Sequence, residues 1–221
     1  GCSNTGDGGS ASGGSDSDTI RIGGLAPLTG DAASYGVAVN NGIQMAVEDI
    51  NANGGIDGKQ IKYIYYDEKG DTTEATNAYN KLVQDDKVVA IIGDVTTKPT
   101  LAVAQTSQQD NIPIITATAT AAEVTLTGPN IFRACFTDPF QGELMASYAS
   151  EKLGATKVAV LSDMADDYSS GIAEAFVAKA KELGMEVVAD EKYQDGDVDF
   201  KSQLTNIKGQ NPDVLFLPVY Y

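Results

Sequence analysis

Ile114-Ile115-Thr116-Ala117-Thr118-Ala119-Thr120-Ala121-Ala122-Glu123 leaves an apolar strand, passes three alternating threonines and is predicted to enter a helix at Thr120. Such a turn gathers hydroxyls and free backbone N–H groups at the carboxyl end of a buried strand, where open α/β sheets hold small ligands. The same strand-to-helix alternation extends in both directions. Upstream, strands are expected at Ile20–Ala26, Gln60–Tyr66, Val88–Gly93 and Ile112–Thr116. Ile43, Ala46, Val47 and Ile50 recur at helical spacing between the first two, and Gly54-Gly55 supplies a stop. Asp71 with Glu74 forms a capping-box pattern ahead of a helix, and Pro99–Gln109 reads as another.

Downstream, a short helix near Ala121–Thr125 precedes a fifth strand, Ile131–Phe136. Asp138-Pro139-Phe140-Gln141 then reads as a helix start, with Asp138 as cap, Pro139 at the first helical position and Gln141 at the third. A second alternation follows: helix Pro139–Leu153, strand Lys157–Leu161, helix Ser169–Leu183, strand Glu186–Glu191, helix Phe200–Lys208 and strand Asp213–Pro218. Strands separated by amphipathic helices pair in parallel through right-handed crossovers. The expectation is an α/β chain of two lobes, 19–138 and 139–221. The second is expected to be incomplete, because the chain stops just past a strand.

Composition narrows the function. Of 221 residues, 42% are hydrophobic and 21% charged, which suits a globular core. Thirty-one acidic residues against 15 basic ones give a formal charge of −16 and no basic run, so a nucleic-acid partner is not expected. Histidine is absent, which removes Ser-His-Asp and Cys-His catalysis and imidazole metal sites. No catalytic residue, metal or cofactor is expected. Ile22-Gly-Gly-Leu-Ala-Pro-Leu-Thr-Gly30 lacks the spacing of a dinucleotide-binding glycine turn. No apolar stretch approaches the roughly 20 residues of a membrane span. Cys135, inside Ile131–Phe136, reads as a buried free thiol.

Residues 1–18 carry Gly or Ser at 11 positions and read as a flexible tether. A tether opening on Gly1-Cys2 resembles the mature end of a bacterial lipoprotein. That resemblance implies a signal peptide already removed, a lipid on Cys2, and a protein held at a membrane surface outside the cytoplasm.

The ordered part also resembles a known family. Leu25-Ala-Pro-Leu-Thr-Gly30, Tyr35-Gly36, Ala46–Asn51 with Gly54-Gly55-Ile56, Tyr66-Asp67 and Ile92-Gly93 follow the branched-chain amino-acid binding proteins of ABC importers. So do the threonine turn, Phe132-Arg133, Thr137–Gly142, Tyr168, Asp199-Phe200, Pro212-Asp213 and Tyr220-Tyr221. The resemblance spans 20–221 in order. It implies a type I periplasmic-binding-protein fold whose two lobes close on a small amino acid, in a monomer that delivers its ligand to a permease.

By the same resemblance Thr97, Thr118 and Thr120 hold the ligand's carboxylate and ammonium, and Tyr35, Tyr168 and Tyr220 wall the cleft. Thr120 with Glu123 also fits a capping box. Lys98 stands where the family carries a small polar residue, and it either reinforces an anion site or points to solvent. Asp138 and Gln141 are placed at the inter-lobe crossing as cap and hinge. The acid that pairs the ammonium is expected beyond Tyr221, with Asp163, Asp166 and Asp167 reading as a solvated loop. A ligand-sensing domain of the same fold, for amides or amino acids, is the alternative.

Overall fold

The computed structural model describes residues 18–220, so the expected lipid site at Cys2 lies outside the described residues. The elements run β1 (Thr19–Ala26), α1 (Ala33–Ala52), β2 (Gln60–Asp67), α2 (Thr72–Asn80) continuing into a π-helical turn at Lys81–Asp85, and β3 (Ala90–Ile92). They continue as α3 (Thr97–Asp110), β4 (Ile114–Thr116), α4 (Glu123–Leu126), β5 (Ile131–Arg133) and α5 (Asp138–Glu151). The last are β6 (Lys157–Asp163), α6 (Asp167–Glu182), β7 (Glu186–Tyr193), α7 (Lys201–Gly209) and β8 (Val214–Phe216).

Two sheets form, one of five strands in the order β2-β1-β3-β4-β5 and one of three in the order β7-β6-β8. Every strand pair is parallel. In the first sheet the chain moves outward from β1 to β2, then returns to the other side of β1 with β3. The loops leaving β1 and β3 therefore diverge and open a crevice at their carboxyl ends, the switch point where such sheets take ligands.

The first core lies between this sheet and α2 and α3, where Leu25, Tyr79, Leu82, Ile91, Val103 and Ile114 are buried together. The second joins Val158 and Val160 of β6 to Ala146 of α5 and Phe176 of α6, and Phe176 stacks on Phe216 at 4.3 Å between ring centroids. Ile207 of α7 packs on the opposite face with Ala159 and Leu161.

Two glycines permit close approach near the cleft. A Cβ on Gly36 would fall 1.8 Å from the Pro27 carbonyl oxygen, so only glycine lets the first turn of α1 lie on the loop leaving β1. A Cβ on Gly142 would fall 2.6 Å from the Ile172 carbonyl oxygen, so glycine brings α5 against α6.

Local cap chemistry is part right and part corrected. The Asp71 side chain accepts from the Glu74 N–H at 2.8 Å and caps α2 as expected. Replacing Asp71 by Ala is expected to cost about 1 kcal/mol in thermal or denaturant unfolding of the full-length protein. The expected capping box at Thr120 does not form. Its helix begins three residues later at Glu123, behind Ala122, and has no side-chain cap. Asp138 is not a cap either: Thr137 is, in extended backbone, and Asp138 is the first helical residue with Pro139 beside it. Both side chains are thereby released from helix capping, and both are buried.

Candidate functional site

The crevice at the switch point is built by hydrogen bonds between consecutive strand-end turns. Asp67, closing β2, accepts from the Leu28 N–H at 2.8 Å and the Thr29 hydroxyl at 2.6 Å, and so fixes the loop that leads to Tyr35. Thr116 donates its hydroxyl to the Asp94 carbonyl at 2.6 Å and accepts the Ala119 N–H at 3.0 Å. Thr118 donates to the Val95 carbonyl at 2.7 Å. The alternating threonines thus lash the turn after β4 to the turn after β3. Thr118 spends its hydroxyl hydrogen on this lashing, which leaves its lone pairs for any further partner.

Thr97 opens α3 and is fully buried, and its N–H donates to the Tyr220 phenol at 3.3 Å. The Thr97 hydroxyl lies near the same phenol without completing a bond. Tyr220 stacks face to face on Tyr168 at 4.0 Å between centroids and meets Tyr35 edge-on at 5.9 Å. The three tyrosines singled out in the sequence therefore form one aromatic cluster. Tyr35 comes from the first turn of α1, on the first sheet's side, and the other two come from the second sheet's side. Burial pushes the Tyr220 phenol well above its ordinary value, so it stays neutral. The Gln141 side chain lies near the Tyr168 phenol, where α5 meets α6.

Asp138 is 1% exposed and Thr120 is 7% exposed. Neither Asp138 carboxylate oxygen nor the Thr120 hydroxyl has a hydrogen-bond partner. The two segments are tied at this point, because the Asp138 N–H donates to the Thr120 carbonyl at 2.8 Å. Their side chains lie close without completing a bond. Burial pushes the Asp138 carboxyl up to about 6, with the Thr120 hydroxyl opposing that rise. A Cβ on Gly171 would sit 3.7 Å from Asp138 Oδ2, so α6 roofs the carboxylate. A buried carboxylate with no donor is costly. Its arrangement beside an equally unpartnered hydroxyl is that of a receptor for a cationic group.

A cavity of about 390 Å³ continues from Tyr220 toward solvent, with Thr96 and Lys98 on one side and Asp163, Asp166 and Tyr193 on the other. Lys98 is exposed at this mouth, which agrees with the solvent reading of that side chain. Asp163 and Asp166 are not a solvated loop. Asp163 is buried, accepting from the Ala165 N–H at 2.9 Å, and Asp166 caps α6 by accepting from Tyr168 N–H at 3.2 Å. Both are committed to the fold. Cys135 is a free, half-buried thiol whose Sγ donates to the Ala119 carbonyl at 3.6 Å. Among the described residues no group of three or more metal-ligating side chains occurs and no helix is long and apolar enough to cross a membrane.

Sequence reasoning missed the burial of the Asp138 carboxylate without a partner, having read the residue as a cap. Its only sequence signal was an acid between a strand and a proline, a pattern that local capping explains equally well.

The model of one family, the periplasmic binding proteins, matches residues 19–220. The chain belongs to that family. Leu/Ile/Val-binding protein BraC3 of Rhizobium johnstonii is 34% identical over 203 residues, covering 91% of this chain and 55% of the relative. LivJ of Streptococcus pneumoniae, a branched-chain amino acid transporter substrate binding protein solved with isoleucine, is 41% identical with a TM-score of 0.85. That match covers 92% of this chain and 57% of LivJ. An ABC-transporter solute binding protein of Rhodopseudomonas palustris, solved with 3,4-dihydroxybenzoic acid, is 28% identical with a TM-score of 0.80, over 90% of this chain and 54% of its own. This family member thus spans about half the length of the relatives it matches, and its parallel sheets and flanking helices are those of the type I periplasmic-binding-protein fold.

Proposed function

We propose that the full-length protein captures an amino acid, of the branched-chain class, between lobes 19–138 and 139–221 and delivers it to an ABC-transporter permease. Asp138 carries this reading. Similar proteins have been solved with isoleucine and with an aromatic acid. Both ligands bring a carboxylate, but only the amino acid brings an ammonium. A buried carboxylate without a donor is stabilised most by a cation, and the phenol of an aromatic acid offers it only a neutral donor.

In this reading the Thr97 hydroxyl donates to the ligand carboxylate beside the start of α3, where free N–H groups favour an anion, and the Thr118 hydroxyl's lone pairs accept from the ammonium. The Thr120 hydroxyl and Asp138 take the ammonium, and Tyr35, Tyr168 and Tyr220 cover the side chain at low entropic cost. Asp138 and Gln141 stand where the chain first crosses between lobes. Ligand favours the closed form by its contacts to both. Residues 1–18 with a lipid on Cys2 would hold the protein, as a monomer, at the outer face of a membrane.

Calorimetric titration of the full-length protein tests this. L-leucine, L-isoleucine or L-valine is expected to bind with one site per chain, and 4-hydroxybenzoate is not. Binding of the aromatic acid alone would overturn the assignment.

A further inference from the structure

The largest fully buried polar group outside the cleft is a pair of acids. Glu68 follows β2 and Asp94 follows β3; both are 0% exposed. They flank the end of β1, the strand between β2 and β3 in the sheet. Their backbones are held rigidly. The Glu68 N–H donates to the Ala26 carbonyl at 3.0 Å, and the Glu68 carbonyl accepts from Asp71 N–H at 3.0 Å. Asp94 Oδ1 accepts the Val95 N–H at 2.7 Å and its carbonyl accepts the Thr116 hydroxyl. Glu68 Oε1, Glu68 Oε2 and Asp94 Oδ2 complete no hydrogen bond, although the Gly70 N–H lies near the Glu68 carboxylate and favours its ionised form. The side chains are within hydrogen-bonding reach of each other, two acceptors face to face. Two ionised carboxylates cannot stay so, but one proton between them turns the contact into a strong hydrogen bond.

We propose that Glu68 and Asp94 share a single proton at neutral pH, and that this proton positions the turn 94–96 from which Thr97 enters the cleft. The turn has few other anchors: the threonine hydroxyls hold its carbonyls, and the Glu68–Asp94 contact joins it to β2. Loss of the proton places two negative charges in one buried spot and pushes the strand ends apart.

The surrounding charges do not offer an alternative neutraliser. Asp67, beside Glu68, adds to the repulsion, and Asp71 caps α2. Lys69 and Lys98 stand at the cleft mouth and Asp31 with them. Among the described residues no salt bridge joins a cation to either acid. Burial is the first cause raising both carboxyls, and for Glu68 the neighbouring Asp94 is the second. In the unfolded chain both groups give up their protons near about pH 4. The folded protein therefore binds more protons above that value, and its stability falls as pH rises toward the alkaline range.

The test uses the full-length protein and its Glu68→Gln variant, with Asp94→Asn and the double variant alongside. An amide donates the missing hydrogen bond at every pH. Glu68→Gln is expected to melt near the wild-type temperature at about pH 5 and several degrees above it at about pH 9. Asp94→Asn is expected to do the same, and the double variant to gain no more than either single one, because only one proton is at stake. Relative to wild type, Glu68→Gln is also expected to keep its L-leucine affinity at alkaline pH. Superimposable pH profiles for wild type and both single variants overturn the proposal. The L-leucine arm rests on the transport reading and the melting arm does not. A protein that shows the melting difference but binds no amino acid would retain the shared proton and refute the ligand assignment.

Discussion

Asp138→Asn in the full-length protein is expected to weaken L-leucine binding by roughly thirtyfold near pH 8, a cost of about 2 kcal/mol for losing one side of a buried charge pair. The amide keeps the volume and the hydrogen-bonding oxygen, so the loss isolates the charge. Three further readings accompany it. Wild-type affinity is expected to fall as pH drops through about 6, where burial has placed the Asp138 carboxyl, because protonation removes the negative partner. In the variant that inflection disappears. Affinity for 4-methyl-2-oxopentanoate, which has leucine's carboxylate and side chain but no ammonium, changes by less than about threefold. Equal losses for both ligands would mean that Asp138 only shapes the hinge. Isothermal calorimetry across the pH range reads all of these directly.

Gly142→Val is expected to destabilise the protein by about 3 kcal/mol or more, with loss of ligand binding before loss of the overall fold. The valine Cβ would fall 2.6 Å from Ile172 O and 2.8 Å from Phe176 N, backbone atoms that cannot swing aside. Relief requires α5 to move off α6. That movement carries Asp138 and Gln141, at the start of α5, away from Tyr168 and Gly171 at the start of α6. Thermal melting checks the stability and calorimetry checks the binding. A variant with wild-type melting and wild-type affinity would show that the two helices separate without consequence for the site. Gly142→Ala places the same Cβ at the same point and is expected to lie between the two.

Much of the fold was legible because it is written in short-range patterns. Apolar strands such as Lys157–Asp163 and amphipathic helices such as Asp167–Glu182 announce themselves within a dozen residues. Asp71 with Glu74 worked as a local cap because everything it needs lies within one turn. The same local logic failed at Thr120 and Asp138. Both match the pattern of a helix cap, and both are drawn into long-range surroundings that spacing cannot reveal. Asp163 failed for the same reason: an acid next to Met164 and Asp166 looks solvated until β6 is seen to end under α6.

The sequence by itself determined the alternation of strand and helix, the parallel pairing that alternation forces, and the cast of threonines and tyrosines. These depend on periodicity and on residue chemistry, which survive without coordinates. Only the tertiary structure decided the strand order, and with it the crevice between β1 and β3. It also brought Thr97 within reach of Tyr220, 123 positions away, and left the Asp138 and Glu68 carboxylates and one oxygen of Asp94 buried without a completed hydrogen bond. Burial and partnership are properties of the folded neighbourhood. A carboxylate reads the same in sequence whether water or another acid stands beside it.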